Sequence, residues 1–541
     1  RDSDSDGVVD SADVFPFDPS EVSDGDLDGV GDNRDECSST SLGRDVLSNG
    51  CAFLAPEQLG LGIAGQAVVD KSGTSVAVSG DGHTVAIGAP VNGSLLQFRF
   101  YRWDGRAWQQ LGSSIFHQGY IDVSFWSLAM SSDGSTVAIG ARENGGNGYR
   151  SGSIYLYHWN GSTWRLNSML HGDGAGDQFG TSVALSSDGT TVAVGAAFSD
   201  RNGIDSGHVR LYRSNGSTWQ QLGADIIGEA AGDQSGNSVA LASDGSTVAV
   251  GSWANNGNGT ASGHIRLYRW NGSTWQQLGA DIDGEAAYDE SGSSIALSSD
   301  GSTVAIGAAH NDGNGPDSGH VRLYRWDGNS WQQLGADIDG EAAYDESGIS
   351  VALSSNGSTL AIGAMYNDGN VSNSGHVRLY RWDGSAWQQL GLDIDGEAAY
   401  EQSGTSVALS SDGSKVAIGS DCNGHCSGRV RIYSIMQDSD EDGIGDTFDA
   451  FPLDPNETLD TDHDGVGNNA DIDDDGDGVD DPSDAFPLDA AETSDGDLDG
   501  IGDRRDECPY TRVGRDVLPN GCAFIQKIEQ MGLDIDGEAA G

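Results

Sequence analysis

The sequence predicts an all-β fold, a seven-bladed β-propeller flanked by irregular calcium-loop arms. Three observations carry that expectation. Residues 57–435 repeat themselves, with an Asp-Gly or Asn-Gly turn at Asp81, Asp133, Asp188, Asp244, Asp300, Asn356 and Asp412 and a spacing of 56 residues over the last four intervals. Apolar residues within a copy alternate with period two, as in Val183-Ala184-Leu185 and Val192-Ala193-Val194, and helical periodicity is absent. The acids are also unevenly spread: of 84 Asp and Glu, residues 1–36 hold 13 and residues 438–507 hold 27.

Each copy reads as four strands, a to d, which in one copy are 293–299, 302–309, 319–326 and 330–338. Asp-Gly between strands a and b marks a tight hairpin, because Gly accepts the positive φ such turns need. A second hairpin lies between Trp326 and Trp331. Seven such units fit a propeller better than a solenoid, whose repeats are usually shorter or helical. The copies are out of phase with the chain. Glu57 to Gly65 reads as a strand d with no strand a, b or c ahead of it, and the seventh copy stops after its strand c, Arg429 to Tyr433. Residues 57–63 are therefore expected to complete the seventh blade, which removes the open edges of the ring.

Phe179-Gly180-Thr181-Ser182-Val183-Ala184-Leu185, followed by Val194-Gly195-Ala196, resembles an FG-GAP repeat, the blade unit of integrin α-subunit propellers and many bacterial surface proteins; Gly88-Ala89-Pro90 supplies the literal "GAP" once. Most copies put Ser at the place of Phe179 and Ala at the place of Pro90. Blades of that family often hold calcium in an Asp-x-Asp-x-Asp-Gly loop between their first two strands. Here the place reads Ser-Ser-Asp-Gly, so no calcium is expected in the blades.

The arms carry a different register. Asp2, Asp4, Asp6, Asp10 and Asp13 take positions 1, 3, 5, 9 and 12 of a twelve-residue loop, with Gly7 at the bend and Val8 offering a carbonyl. Calcium takes six to eight oxygens in such loops. The register recurs with Asp24, Asp26, Asp28, Val30, Asp32 and Asp35, and with Asp438, Asp440, Asp442, Ile444, Asp446 and Asp449. It continues with Asp460, Asp462, Asp464, Val466, Asn468 and Asp471, then with Asp473, Asp475, Asp477, Val479, Asp481 and Asp484. The last loop has Asp495, Asp497, Asp499, Ile501, Asp503 and Asp506. The loops end in Asp rather than Glu, no amphipathic helix flanks them, and Phe-Pro segments such as Phe451-Pro452-Leu453 stand between them. This resembles the thrombospondin type 3 repeat, in which calcium replaces an apolar core. Asp18, Glu21, Asp454 and Glu457 are candidates for further ligands.

The net charge of −57 repels nucleic acid and anionic lipid and favours cations as partners. No run of 18 apolar residues exists, so no membrane span is expected. The cysteines form close pairs, Cys37/Cys51, Cys422/Cys426 and Cys508/Cys522. Disulfides in an oxidising, extracellular setting are favoured, with zinc the alternative; His425 sits inside the second pair. No nucleophile elbow, phosphate loop or metalloprotease motif occurs, so an enzyme is not expected, and the periodic histidines His208, His264, His320 and His376 read as structural.

The domains read as arm 1–36, cysteine-clipped linker 37–56, propeller 57–435, arm 436–507, linker 508–528 and a further strand d at 529–541. Residues 1–53 match 472–524 at about two-thirds of positions, which implies a larger repeat of about 471 residues. Two functions follow as expectations. One is an extracellular or cell-surface repeat unit of a calcium-stiffened fibre, with copies of itself head to tail as partners. The other is an adhesin whose propeller binds a glycan or protein through the b–c loops bearing Phe198, Trp253, His310 and Tyr366.

Overall fold

The Ser-Ser-Asp-Gly turn decides how the repeats meet. Its second residue donates a backbone N–H to its counterpart in the next repeat: Ser132 to Ser187, Ser187 to Ser243, Ser243 to Ser299, Ser299 to Ser355 and Ser355 to Ser411, at 2.8–2.9 Å. Gly80 donates to Ser132 at 2.7 Å and accepts from Ser411 at 2.8 Å, so seven bonds form a closed circle. Gly80 is the one member without a side chain, and a Cβ there would collide with the Ser132 and Ser411 hydroxyls.

The computed structural model describes residues 56–67, 70–91, 95–118, 127–422 and 426–435 and, in a second unit, residues 450–451, 454, 456–457, 459–497 and 501–506. The first unit is an all-β, seven-bladed propeller, each blade an antiparallel sheet. Blade 1 starts at Ser75–Val78, blade 2 at Leu128–Met130, blade 3 at Val183–Leu185 and blade 4 at Ser238–Leu241. Blades 5, 6 and 7 start at Ser294–Leu297, Ser350–Leu353 and Ser403–Leu409. In blade 5, strand a pairs with b (Thr303–Ala308), b with c (His320–Trp326), and c with d. The outer strand of blade 7 comes from the front of the chain: Glu57–Gln58 and Ile63–Ala64 both pair antiparallel with Arg429–Ser434.

Period-two alternation is used on both faces, because a blade has a neighbour on each side. Val304 and Ile306 of strand b pack toward blade 4, whereas Ala305 between them packs toward blade 6. Seven apolar clusters result, one per junction, including one between blades 7 and 1 built on Ile63, Val76, Ile87 and Val430. Burial on this scale contributes roughly 25 cal/mol per Å² of apolar surface.

Strand d differs from the unbroken run expected over 330–338. It forms two pieces, Trp331–Gln333 and Ile338–Asp339, both paired with strand c. The break falls at Leu334-Gly335, where Gly335 has φ +81°, a conformation that disfavours residues with a Cβ. The Leu334 carbonyl then accepts the indole N–H of Trp387 in the next blade at 3.0 Å. The same bond joins Trp108 to Leu59, Trp164 to Leu111, Trp275 to Leu222 and Trp331 to Leu278 at 2.8–3.1 Å. Blade 2 lacks the Leu-Gly pair, its strand d runs unbroken over Trp164–His171, and the Trp219 indole N–H facing it has no acceptor.

The second unit has no strand among its described residues, only turns and one 3-10 segment, Asp481–Ser483. Loops 1 to 3 of the acidic register, Asp499, the cysteines Cys37, Cys51, Cys508 and Cys522, and residues 529–541 lie outside the described residues. Cys422 and Cys426 are joined as a disulfide.

Candidate cation sites

Alternating Asp residues in a tight turn compete for the same backbone donors, and two loops of the second unit resolve that competition identically. In loop 460–471 the Gly465 N–H donates to Asp460 Oδ2 (3.2 Å), and the Val466 N–H donates to Asp464 Oδ1 (2.8 Å). Thirteen residues on, the Gly478 N–H donates to Asp473 Oδ2 (2.9 Å), and the Val479 N–H donates to Asp477 Oδ1 (2.9 Å). Gly465 and Gly478 have φ +91° and +96°, so the bend position needs glycine in both.

The position-9 residue braces the loop. Asn468, Asp481 and Asp503 each accept the position-2 N–H, from Thr461, Asp474 and Gly496, at 2.8–3.0 Å. Positions 1, 3 and 5 are thereby drawn together: one oxygen from each of Asp460, Asp462 and Asp464 lies within 4.8 Å of the others, and likewise for Asp473, Asp475 and Asp477. Asp471, Asp481 and Asp484 fall outside these groups.

Several of the gathered oxygens have no partner. Asp460 Oδ1, Asp473 Oδ1 and Asp475 Oδ2 are buried and accept no hydrogen bond, as is Asp484 Oδ2 nearby. The Asp475 carboxyl is pushed up by lost hydration and by the repulsion of Asp477, Asp484 and Asp473. Hard oxygen donors left unsatisfied beside like charges fit calcium.

Two buried glutamates frame the unit. Glu457 Oε2 accepts the Asn469 N–H (2.9 Å), and Glu492 Oε2 accepts the Arg504 N–H (3.0 Å). Gly467 and Gly502 leave room for them, since a Cβ at either would strike the carboxylate. Glu457 was an expected extra ligand; one of its oxygens is spent on the chain. Glu492 was missed, although it follows Glu457 by 35 residues in the same Glu-Thr pair.

In the propeller, the turn carboxylates are consumed locally. Asp300 Oδ1 accepts from the Ser298 hydroxyl (2.7 Å) and the Ser302 N–H (2.9 Å), and Asn356 does the same with Ser354 and Ser358. A second set of acids stands elsewhere. Strand c points His320, Arg322 and Tyr324 toward the preceding blade. Arg322 lies over the Tyr324 ring and donates to the blade 4 carbonyl of Asp283 at 2.8 Å. Arg266, Arg378 and Arg431 repeat this staple. Beside it, Glu285, His320 and Asp337 bring one ligand atom each within 4.8 Å, as do Glu229, His264 and Asp281, and Glu341, His376 and Asp393. The periodic histidines are thus buried next to carboxylates. Sequence reading missed the clusters because their members lie far apart in each repeat.

Of the b–c loop residues, Phe198 and Trp253 are half-buried. His310 Nδ1 lies 3.1 Å from Glu290 Oε2, and its Nε2 lies 3.9 Å from Glu346 Oε1. The Glu290 contact outweighs burial and pushes the imidazole up to about 8. Tyr366 lines a hollow of about 510 Å³ with Glu341, Tyr344, Glu346 and Asp368.

Two stretches, residues 170–212 and 336–380, match the FG-GAP repeat family. Each begins at the end of one blade's strand d and runs into strand c of the next, so the family's unit straddles a junction. No curated protein matches the chain. Among the described residues, no helix is long and apolar enough to cross a membrane.

Proposed function

We propose that the chain is an extracellular repeat unit of a calcium-stiffened fibre or stalk, in which propeller beads are joined by rods of calcium loops like those of thrombospondin type 3 repeats. One observation carries this reading: two successive loops of the second unit gather positions 1, 3 and 5 with the same hydrogen bonds and leave buried carboxylate oxygens unsatisfied. Calcium supplies what these oxygens lack. It replaces an apolar core in a segment whose Leu459, Ile472 and Leu488 are more than half exposed. Further copies of the chain, head to tail, are the partners. Imaging of purified particles in calcium should show strings of rings at regular spacing that collapse on chelation; compact single rings in calcium would overturn the reading.

The adhesive reading rests on the hollow beside Tyr366, with its exposed Tyr344 and four acids suited to a hydroxyl-rich or basic ligand. Binding on a glycan array that Tyr366→Ala abolishes would favour it over a purely structural role.

A further inference from the structure

Six of the junctions hold one station with different contents. In blades 1 and 3 to 7, the strand-c residue at the place of His320 meets a residue of its own strand d and one from the d–a connection of the preceding blade. In blade 1 these are Gln97, Ser114 and Gln66, and they close directly: Gln97 Nε2 donates to Gln66 Oε1 and to Ser114 Oγ, both at 3.0 Å. In blade 7 Arg429 stands at the histidine position and pairs with Glu397, while the aspartate position is Gly62, where a Cβ would meet Arg429 Cδ at 2.9 Å. In blade 3 the set is Asp173, His208 and Asp225, and two guanidiniums bridge it: Arg201 Nη2 lies 2.7 Å from Asp173 and Nε 3.2 Å from Asp225, and the strand-c Arg210 lies 2.7 Å from each acid.

Blades 4, 5 and 6 keep the acid–His–acid set but have Gly257, Gly313 and Gly369 where blade 3 has Arg201. The strand-c arginine, which in blade 3 reaches both acids, does not do so here: Arg266 and Arg322 reach only the glutamate, at 3.4 and 3.5 Å. His320 Nδ1 lies 3.9 Å from Asp337 and 4.0 Å from Glu285; His376 Nδ1 lies 3.1 Å from Asp393 and 3.8 Å from Glu341. His376 is 1% exposed, and its Nδ1, aimed at both carboxylates, makes no hydrogen bond of normal geometry. Where the station is neutral it closes by hydrogen bonds. Where it is acidic, blade 3 supplies a cation, and blades 4 to 6 keep the ligands apart.

We propose that blades 4, 5 and 6 each bind a divalent cation of the Zn²⁺ type between Glu229, His264 and Asp281; Glu285, His320 and Asp337; and Glu341, His376 and Asp393. One imidazole nitrogen and two carboxylates are an ordinary zinc donor set, and bonds of about 2.0–2.2 Å put neighbouring tetrahedral ligands about 3.4 Å apart. The observed separations bracket that value. The glutamate belongs to one blade and the other two ligands to the next, so each ion clamps a junction, as Arg201 and Arg210 do between blades 2 and 3.

The test is equilibrium dialysis of the full chain against Zn²⁺ in excess calcium, which keeps the acidic loops filled, with Co²⁺ as a visible-band reporter of imidazole ligation. Three equivalents are expected. His320→Gln should bind one fewer. Gly257→Arg, which puts a guanidinium where Arg201 stands in blade 3 and leaves all three ligands in place, should also bind one fewer. Circular dichroism would check that both variants fold. Less than one equivalent at about 100 µM free Zn²⁺, or an unchanged three in both folded variants, would overturn the proposal.

Discussion

The propeller and the second unit are both built from short repeats and tight Asp-containing turns, yet they treat charge in opposite ways. In the propeller the turn Asp300 is satisfied by Ser298 and Ser302, and the strand-c Arg322 is held by a tyrosine face and a carbonyl, with only its Nε left without an acceptor. In the second unit, loops of the same tightness leave oxygens of Asp460, Asp473 and Asp475 buried without a donor. Apolar surface divides the same way: seven junction clusters against exposed Leu459, Val466, Ile472 and Leu488. A repeat that buries its apolar side chains against its neighbours holds itself together. In the function proposed above, loops whose carboxylates are left over are completed by a bound cation.

Chelation should widen that difference most. Two carboxylates 4 Å apart repel by about 1 kcal/mol even in water, and each loop gathers three. Removing calcium should therefore expose residues 459–497 to protease and rapid hydrogen exchange while the propeller's own melting transition stays in place. Asp462→Asn with Asp475→Asn should mimic the effect in part. A chelator that unfolded the propeller and spared the loops would reverse the assignment.

Ring closure is the next largest effect. Ile63 is buried in the cluster between blades 7 and 1, so Ile63→Ala should cost about 2–4 kcal/mol of propeller stability. Gly80→Ala should cost about 1–3 kcal/mol, because its methyl group displaces Ser132 or Ser411 from the turn circle. Both are read by denaturant unfolding of the propeller, and neither should alter protection of the acidic loops in calcium.

A smaller effect sharpens the comparison inside the propeller. Trp331→Phe removes an indole N–H that bonds the Leu278 carbonyl, whereas Trp219→Phe removes one with no acceptor. The areas lost are alike, so the difference between the two variants should be about 1 kcal/mol, the net value of one hydrogen bond. Equal costs would mean that the Leu-Gly break in strand d does not serve this bond.

The ring was legible because its cause is local and repeated: period-two alternation, Asp-Gly turns and a phase shift that leaves Glu57 to Gly65 without a blade of its own. The break in strand d was not, since Leu334-Gly335 reads as continuous strand until Trp387 of the next blade is seen to need a carbonyl. In the acidic loops, the approach of positions 1, 3 and 5 follows from spacing alone. The bracing role of Asn468 and Asp481 does not, because a register assigned to calcium ligands says nothing of which oxygen the chain itself takes. Least legible were the Glu–His–Asp clusters. Glu285, His320 and Asp337 lie up to 52 residues apart, and only the packing of one blade on the next joins them.

The finest prediction concerns pH, where two histidines of the propeller work in opposite directions. Contact with Glu290 raises the His310 imidazole to about 8, above the 6.5 of a free histidine. Folding therefore favours its charged form, and that contribution is fully present below pH 6.5 and is lost as pH rises through about 8. Burial lowers His208 to about 4, against the opposing charge of Asp225, so its neutral form is favoured. That contribution is present above pH 6.5 and is lost as pH falls toward 4. Propeller stability should thus decline on both sides of a plateau near pH 6.5, more steeply on the acid side. The alkaline decline is the shallower because the His310 side chain is 36% exposed and solvent screens its pair with Glu290. His310→Gln should flatten the profile between pH 6.5 and 8.5 and leave the acid limb as it is. An alkaline limb unchanged in that variant would show that the His310–Glu290 contact carries no linkage to folding.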